Sequence, residues 1–440
     1  MKTLSWLSVV RLGLVQASLG AIIVLMTSTL NRIMVVELAL PAIVPGALIT
    51  LHHAMQMLRP RMGFGSDVGQ RRTPWIVGGM AALAAGGLGA AFATTLVKEH
   101  FALGMSLAVI AFALIGAGVS AAGTSLLVLM AKRVAEERRA AAATIVWMMM
   151  IAGFAITATL AGKLLDPFSN ARLLTVFGAV SGGALLVTLL AIAGVEGGGE
   201  DPVVAPAIDA PKPRFLTVLR ETLAEPDARR FTIFVFVSML AYSAQDLILE
   251  PFAGAVFHFT PGESTKLSGA QHGGVFAGML LVALVTTIFK NTMLASIKGW
   301  VVGGCLGSAA AMTGLVIAGM RGGDWPLREN VFLLGVANGA FAISAIGAMM
   351  TLAGQGKRAR EGVRMGLWGA SQAIAFGLGG FLGTVLVDLA KPFTHDPAHA
   401  YAFVFGVEAL AFFASHLVAL GTTFKTEPEA IRVDGRERLV

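Results

Sequence analysis

Neutral polar side chains interrupt the apolar stretches of this 440-residue chain, and the histidines among them could bind a metal. A neutral imidazole is the commonest protein ligand of a metal. His52 and Gln56 are four residues apart and would share one helix face, whereas His53 is rotated by about 100° from His52. The sequence therefore predicts that both histidines cannot serve one pocket. The candidate ligands are His52, His53, Gln56, His272 and His416.

A magnesium tetrapyrrole is one ligand that such a region could hold, because it needs a single axial donor, a flat apolar slot and little charge. His52 or His53 could supply the donor, with Trp147 and 148–150 lining the slot, if their helices meet. Hydrogen bonding between helices is the alternative role for each histidine. No site for a free metal ion is predicted, since the single cysteine, Cys305, excludes Cys-based zinc and iron–sulfur sites.

Three acidic residues are candidates for a proton or solute site. Glu408 lies inside the last apolar stretch, and Asp246 and Glu250 lie near the outer end of the seventh, four residues apart on one helix face. Ionisable groups inside a membrane are costly and usually functional. Glu408 could carry a proton or hydrogen-bond to another helix, whereas Asp246 and Glu250 could be solvated or bind a neighbouring loop.

Twelve apolar stretches of membrane-spanning length must position these residues. The chain is 56% hydrophobic and only 13% charged, so it lacks the polar side chains to cover a water-facing globule. This composition excludes soluble, disordered and nucleic-acid-binding proteins despite the net charge of +7. A helix needs about 20 apolar residues to cross a bilayer. The predicted spans are 12–30, 41–58, 74–96, 101–130, 140–161, 173–194, 231–249, 268–289, 299–319, 331–352, 366–389 and 400–420.

Basic residues orient the predicted spans. Most lysines and arginines fall on the side that holds both termini, which predicts that both termini are cytoplasmic. A stretch rich in Gly, Pro and mixed charge at 195–230 divides six spans from six and predicts a cytoplasmic linker. The predicted domains are therefore an N-terminal half, 1–194, the linker, a C-terminal half, 231–420, and a cytoplasmic tail, 421–440.

The two halves repeat each other weakly. Arg139 and Arg364 occupy comparable places after the fourth and tenth spans, and 173–182 resembles 401–410 at a similar separation. Two six-span halves repeated in parallel are typical of the major facilitator fold. The sequence thus predicts an all-α integral membrane protein with twelve transmembrane helices in two six-helix pseudo-repeats.

The loop between the second and third spans closely matches the conformational motif of this fold, G-x-x-x-D-x-x-G-R-R, with Gln70 inserted before the arginine pair. Glycines permit a tight turn, and Asp67 can pair with an arginine or face a helix N-terminus. Resemblance to the facilitators implies that the motif latches the two halves on the cytoplasmic side. Maintenance of topology is the alternative role for the arginines. The motif residues are Gly63, Asp67, Gly69, Arg71 and Arg72.

Small residues repeat at helical spacing at 78–91 and 377–383. Such residues let helix backbones pack closely in a membrane. A flat groove that accommodates a pigment is the alternative interpretation of the same pattern.

Three segments resemble the PucC/LhaA proteins, the bacteriochlorophyll-delivery branch of the major facilitators. Residues 26–42 (MTSTLNRIMVVELALPA) are similar to the first outer loop of that family, and residues 57–76 to its cytoplasmic motif. Residues 243–279, from the seventh to the eighth span, carry the most specific resemblance. The LHH sequence at 51–53 and the short tails resemble the branch member associated with the bacteriochlorophyll synthesis genes.

The resemblance implies a multi-pass protein of the intracytoplasmic photosynthetic membrane, the inner membrane system of a phototrophic bacterium. It implies a membrane accessory factor that binds or delivers bacteriochlorophyll, or a late precursor, for light-harvesting complex assembly. The implied partners are light-harvesting polypeptides, the bacteriochlorophyll synthase, the membrane insertion machinery and membrane lipid. The scarcity of internal charge agrees with a cargo that enters sideways from lipid.

Two other classes of function stay open. One is a proton-coupled small-solute transporter with Glu408 as the proton carrier. The other is an enzyme of pigment modification, which the sequence disfavours because it contains no nucleotide-binding loop, nucleophile elbow or HExxH motif. We therefore predict that the protein is not itself an enzyme.

Overall fold

The computed structural model describes residues 4–59, 71–135, 138–196, 225–289, 292–323, 325–354, 361–394 and 396–421. Within these ranges the chain forms twelve helices of the bundle. They are α1 (Trp6–Glu37), α2 (Ile43–Met55, extended by the turn Gln56–Leu58), α3 (Thr73–Leu96), α4 (Phe101–Arg133), α5 (Arg139–Leu164), α6 (Asn170–Ile192), α7 (Pro226–Phe257), α8 (Pro261–Ile288), α9 (Ile297–Arg321), α10 (Leu327–Gly354), α11 (Glu361–Thr394) and α12 (Pro397–Leu420).

In the described part of the chain, eleven helices are long and apolar enough to cross a membrane, and a shorter apolar helix covers Ile43–Leu58. The prediction of an all-α membrane protein is confirmed. One difference concerns α1, which continues to Glu37 rather than ending near residue 30. Residues 26–42 were expected to resemble an outer loop, but the chain is helical as far as Glu37, with π-helical turns at Leu25–Leu30 and Ile33–Glu37.

The helix contacts repeat with a shift of six helices. The five most extensive pairings in the first half have counterparts in the second: α1–α5 and α7–α11, α1–α6 and α7–α12, α2–α4 and α8–α10, α3–α4 and α9–α10, α3–α6 and α9–α12. The same shift of six helices converts one junction between the halves, α5–α8, into the other, α11–α2. This arrangement is the two-repeat architecture of the major facilitator fold.

Buried apolar side chains form one core in each set of six helices. The first core extends from Leu4 to Val195 and includes Leu247 of α7, and the second extends from Phe231 to Ala419. The predicted division into halves at 194 and 231 stays a prediction. Most of the predicted linker (197–224) and nearly all of the predicted tail (422–440) lie outside the described residues.

The helix ends define two faces of the bundle. The terminal face holds the start of α1 and the end of α12: Arg230 donates to the Gly421 carbonyl at 3.3 Å, and Lys298 Nζ donates to the Leu420 carbonyl at 2.8 Å. The distal face holds the other ends, including Glu37 and Phe259. The α2–α11 and α5–α8 junctions run between these two faces.

Glycines let α8 and α10 pack with their backbones in contact. An ideal Cβ atom at any of four glycines would lie 2.0–2.2 Å from a carbonyl oxygen of the opposite helix. Close packing of this kind is the usual role of small residues in membrane helices. The four glycines are Gly274 and Gly278 of α8 and Gly335 and Gly339 of α10.

The two predicted small-residue stretches also pack closely. A Cβ atom at Gly79 would lie 2.5 Å from the backbone nitrogen of Ala122, and one at Gly379 would lie 2.4 Å from the Leu240 carbonyl. Beside the α3–α4 contact, an open apolar groove of about 350 Å³ is lined by Trp75 and small residues of both helices. Close packing therefore accounts for Gly79 and Gly379, whereas a Cβ atom at Gly78 would meet nothing within 4 Å and Gly78 lines the groove.

Candidate functional site

Four polar residues form a cluster at the terminal end of α2, which we call the histidine cluster: His52, His53, Gln56 and Arg59. Gln56 Nε2 lies 3.0 Å from His52 Nε2 and 3.3 Å from His53 Nδ1. Arg59 Nη2 donates to Gln56 Oε1 at 2.5 Å. The two imidazole centroids are 4.9 Å apart. A single amide therefore reaches both rings, and the expectation that His52 and His53 do not serve one pocket stays a prediction.

The position of the histidine cluster follows from the packing of α2. His52 is buried against α4, where its carbonyl would lie 2.5 Å from a Cβ atom at Gly116. His53 is half-buried and faces α11, with its ring centroid 6.3 Å from that of Phe376. The cluster therefore lies where the second helix of one half meets the eleventh helix of the other.

The methionine run does not line a slot beside these histidines. Met149 packs against Gly13, and Met150 Sδ lies 3.2 Å from Gln16 Nε2, so both contact α1. Trp147 is partly exposed on the surface of the bundle. The methionines that were predicted to line a slot beside the histidines therefore contact α1 instead, whereas the histidines lie at the α2–α11 junction.

His272 and His416 lie apart from the histidine cluster. His272 Nδ1 is 2.9 Å from the Ser268 carbonyl, and its ring stands edge-on to Phe154 at 4.9 Å. His416 Nδ1 is 3.1 Å from the Val302 carbonyl and stacks on Phe413. Hydrogen bonding between helices, the alternative given above, describes His416, whereas His272 contacts a carbonyl of its own helix. The five predicted ligands therefore occupy three separate places.

Polar side chains of α1 cross to the other half near the distal face, and we call this group the distal seam: Ser28, Thr29, Asn31 and Arg32. The Ser28 hydroxyl donates to Glu250 and lies 2.9 Å from the Ser268 hydroxyl. Asn31 Nδ2 donates to the Leu247 carbonyl at 2.6 Å, and Thr29 Oγ1 lies 2.9 Å from Thr265 Oγ1. The π-helical turns of α1 present these side chains to α7 and α8.

Arg32 is the charged member of the distal seam. It is only 2% exposed, forms an ion pair with Glu37, and donates to the Phe259 carbonyl at 2.5 Å. Gly254 makes room for the guanidinium, because a Cβ atom there would lie 3.0 Å from Arg32 Nε. Sequence analysis missed this residue. An arginine directly after a cluster of neutral polar residues, at the end of the first apolar stretch, was the available signal.

The acidic candidates face the protein interior rather than solvent. Asp246 Oδ1 accepts from Gln271 Nε2 at 3.2 Å, and Glu250 is buried against Ser28, so both acids reach neighbouring helices. The alternative of a solvated interface is therefore wrong for Glu250. Glu408 is 3% exposed, and within the described residues neither carboxylate oxygen has a hydrogen-bond partner. Asp246 is close enough to Glu408 for the two charges to interact.

Replacing Glu408 by methionine should raise the thermal stability of the purified protein. The substitution removes a buried carboxyl group without a partner and keeps a side chain of similar size, which is worth about 1–3 kcal/mol. Thermal unfolding in detergent measures the change, with Glu329→Met, at an exposed residue of α10, as the matched control. A lower melting temperature for Glu408→Met than for this control would show that the carboxyl stabilises the fold.

The conformational motif is only partly described, since Gly63, Asp67 and Gly69 lie outside the described residues. Arg71 is exposed, and Arg72 is buried at the start of α3. Glu196, which follows α6, accepts from the backbone nitrogens of Arg72 at 2.5 Å and Thr73 at 2.8 Å, and lies 3.9 Å from Arg72 Nη1. This carboxylate caps α3 and ties it to α6 within the same half.

Substituting Glu196 by alanine should destabilise the N-terminal half. Loss of a helix cap costs about 1–2 kcal/mol, and loss of the buried carboxylate next to Arg72 adds to this cost. A lower melting temperature of the detergent-solubilised protein is the expected result. Glu99→Ala, at an exposed residue between α3 and α4, is the control. Equal melting temperatures for the two variants would contradict the capping role.

Comparisons with known proteins agree with this architecture. The protein-family model described as PUCC protein matches residues 29–426. A Rhodobacter capsulatus protein named bacteriochlorophyll synthase 44.5 kDa chain is 52% identical, over 95% of this chain and 96% of its own length. Protein PucC of Cereibacter sphaeroides is 29% identical, over 93% of this chain and 90% of its own.

Solved structures that resemble this chain are transporters. A bacterial homologue of the human drug peptide transporters PepT1 and PepT2 superposes with a TM-score of 0.68 at 15% identity, covering 94% of this chain and 97% of its own. The nucleoside transporter NupG superposes with a TM-score of 0.65 at 14% identity, covering 94% and 99%. At such identities the likeness shows the fold alone. The family match, which extends over most of the chain, shows in addition that this protein belongs to the PUCC protein family, with a major facilitator fold and relatives linked to bacteriochlorophyll synthesis.

Proposed function

We propose that the protein binds bacteriochlorophyll or a late precursor in the membrane and delivers it for light-harvesting complex assembly. The observation that carries the proposal is the 52% identity, over nearly the whole chain, to a protein named as a bacteriochlorophyll synthase chain. That name concerns the relative. For this chain we propose that it binds and delivers the pigment and performs no catalytic step of its own.

The histidine cluster offers groups that suit such a cargo. It lies at the α2–α11 junction, between the two sets of six helices. Its ring nitrogens and the aromatic ring of Phe376 would meet a molecule that is mostly apolar with a few polar groups. Pockets for such ligands combine apolar walls with a few polar groups that fix orientation.

We further propose that the terminal face is cytoplasmic and that the membrane is the intracytoplasmic photosynthetic membrane. The excess of basic residues on the side of both termini supports this orientation. On this topology, the proposed partners are the bacteriochlorophyll synthase, light-harvesting polypeptides and the membrane insertion machinery. The predicted division into two halves is part of the same proposal.

Gentle affinity purification from photosynthetically grown cells tests this function. We expect bacteriochlorophyll or a precursor in about one-to-one ratio with the protein, together with the synthase or light-harvesting polypeptides. An unrelated membrane protein with the same tag, purified from the same membranes, controls for pigment that dissolves in the detergent micelle. Pigment at or below the level of this control would contradict the proposal.

A proton-coupled solute transporter is the second candidate, and the observation that favours it is Glu408. A buried carboxyl without a partner among the described residues, close to Asp246, is suited to carrying a proton. Proton-driven uptake of a soluble substrate into proteoliposomes, abolished by Glu408→Gln and unaffected by Glu329→Gln, would favour this function. Pigment retention by Glu408→Gln would favour delivery.

A further inference from the structure

Hydrogen-bond directions within the histidine cluster determine which ring nitrogens carry protons. A guanidinium only donates, so the 2.5 Å contact from Arg59 fixes the Gln56 oxygen on the Arg59 side. The Gln56 amide nitrogen then faces both imidazoles, and it can only donate. Its two hydrogens reach His52 Nε2 and His53 Nδ1, which must accept. In neutral rings the protons therefore reside on His52 Nδ1 and His53 Nε2.

This assignment changes the chemistry that the cluster offers. The lone pairs that could have bound a magnesium ion are occupied by Gln56, so the cluster presents N–H donors instead. His52 is 1% exposed, and its Nδ1 has no hydrogen-bond partner among the described residues. A buried donor without an acceptor is energetically unfavourable, and an incoming acceptor would remove that penalty. The axial-ligand role predicted for these two histidines is thus not the role that the geometry favours.

The surroundings of His53 suit a flat molecule with an acidic edge. Its ring is half-buried and lies 6.3 Å from Phe376, with an interplanar angle of 47°. Gly377, the next residue of α11, adds no side chain to the junction, and a Cβ atom built there would lie 3.7 Å from His53 Cβ. Arg59 is exposed and is linked to His53 through Gln56 by two hydrogen bonds. This region therefore combines the N–H donor of His53 and the positive charge of Arg59 with the aromatic ring of Phe376.

The geometry points to a carboxylate-binding site at the α2–α11 junction, in which His53 Nε2–H and Arg59 hold the acid group of a tetrapyrrole and Phe376 contacts its ring. This inference rests on the proposed function and narrows its ligand. It selects a magnesium tetrapyrrole with a free carboxylate over the finished pigment, in which that acid is esterified. The protein would then hold the substrate of the esterification step rather than its product.

Binding of an acid and its ester tests the inference. The full-length protein is purified from a pigment-free host, placed in lipid nanodiscs and titrated with chlorophyllide a or with chlorophyllide a methyl ester, using tetrapyrrole fluorescence. We expect the acid to bind about tenfold more tightly than the ester, as one charge-assisted hydrogen bond allows. Equal affinities of acid and ester would overturn the carboxylate site and leave the proposed function standing. Binding of neither would also overturn the carboxylate site, and the purification from photosynthetically grown cells then decides the proposed function separately.

Substitutions test which residues cause the preference for the acid over the ester. His53→Phe and Arg59→Gln should each lower the affinity for the acid about tenfold and leave the affinity for the ester unchanged. His100→Phe and Arg328→Gln, at exposed residues of the distal ends, are the matched controls. Thermal unfolding confirms that each variant is folded. A full acid preference in folded His53→Phe and Arg59→Gln would overturn the assignment.

A competitor without a ring tests whether the site prefers a tetrapyrrole acid to a lipid acid. Hexadecanoate, added at the concentrations used for chlorophyllide a, should not displace it, because the fatty acid offers no ring to Phe376. Displacement with equal potency would overturn the commitment to a ring-bearing ligand.

Discussion

Reversing the charge of Arg32, by Arg32→Glu, should destabilise the bundle by about 3–5 kcal/mol and open its distal face. The substitution breaks the ion pair with Glu37 and the 2.5 Å hydrogen bond to the Phe259 carbonyl, and it places a new carboxylate near Glu250. Because Arg32 is 2% exposed, water cannot replace these contacts without moving the helices apart.

Cysteine labelling measures whether the distal seam opens. The buried Cys305 is first replaced by alanine. Ala253→Cys then provides a buried probe in α7, next to Gly254, which contacts Arg32. We expect maleimide to label the probe at least tenfold faster in Arg32→Glu than in the parent. The double variant Arg32→Glu, Glu37→Arg should recover part of the stability. Equal labelling rates in parent and variant would show that the seam does not close this face.

Introducing isoleucine at Gly274 should prevent α8 and α10 from packing. A Cβ atom there would lie 2.2 Å from the Phe332 carbonyl, which is backbone and cannot rotate away. We expect a loss of more than about 3 kcal/mol, seen as loss of the monodisperse peak in size-exclusion chromatography.

The adjacent residue provides a matched control for this clash. Gly273 is in the same helix, but a Cβ atom there would meet nothing within 4 Å. Gly273→Ile should therefore behave like the parent protein. Similar behaviour of the two isoleucine variants would mean that the helices can separate at little cost, contrary to the close packing described here.

Hydropathy and spacing predicted the helices and the two-repeat fold because the bilayer imposes a fixed length on each span. The same reasoning failed at the distal end of α1. Ser28, Asn31 and Arg32 lower the local hydropathy and indicate a loop when taken alone. Their partners, Glu250, the Leu247 carbonyl and the Phe259 carbonyl, lie more than two hundred residues away in the chain. No local pattern could show that these polar groups are satisfied inside the bundle.

The candidate site was only partly predictable for a related reason. Helical geometry correctly places Gln56 one turn after His52, but the rotation of about 100° between His52 and His53 does not keep one amide from reaching both rings. The two hydrogens of one amide bridge the rings, and Arg59 sets the direction of that amide. Which helix faces α2 is a property of the whole fold, so the contact with Phe376 required the structure.

Pigment transfer tests the central claim most directly. The protein, purified and loaded with bacteriochlorophyll or its unesterified precursor, is reconstituted in nanodiscs and mixed with vesicles that contain light-harvesting polypeptides and, for the precursor, the synthase. We expect the absorption of assembled antenna to appear faster than with the same amount of free pigment, and with a rate that saturates with carrier concentration. A protein that retains no tetrapyrrole and instead drives proton-coupled uptake of a soluble metabolite would contradict it.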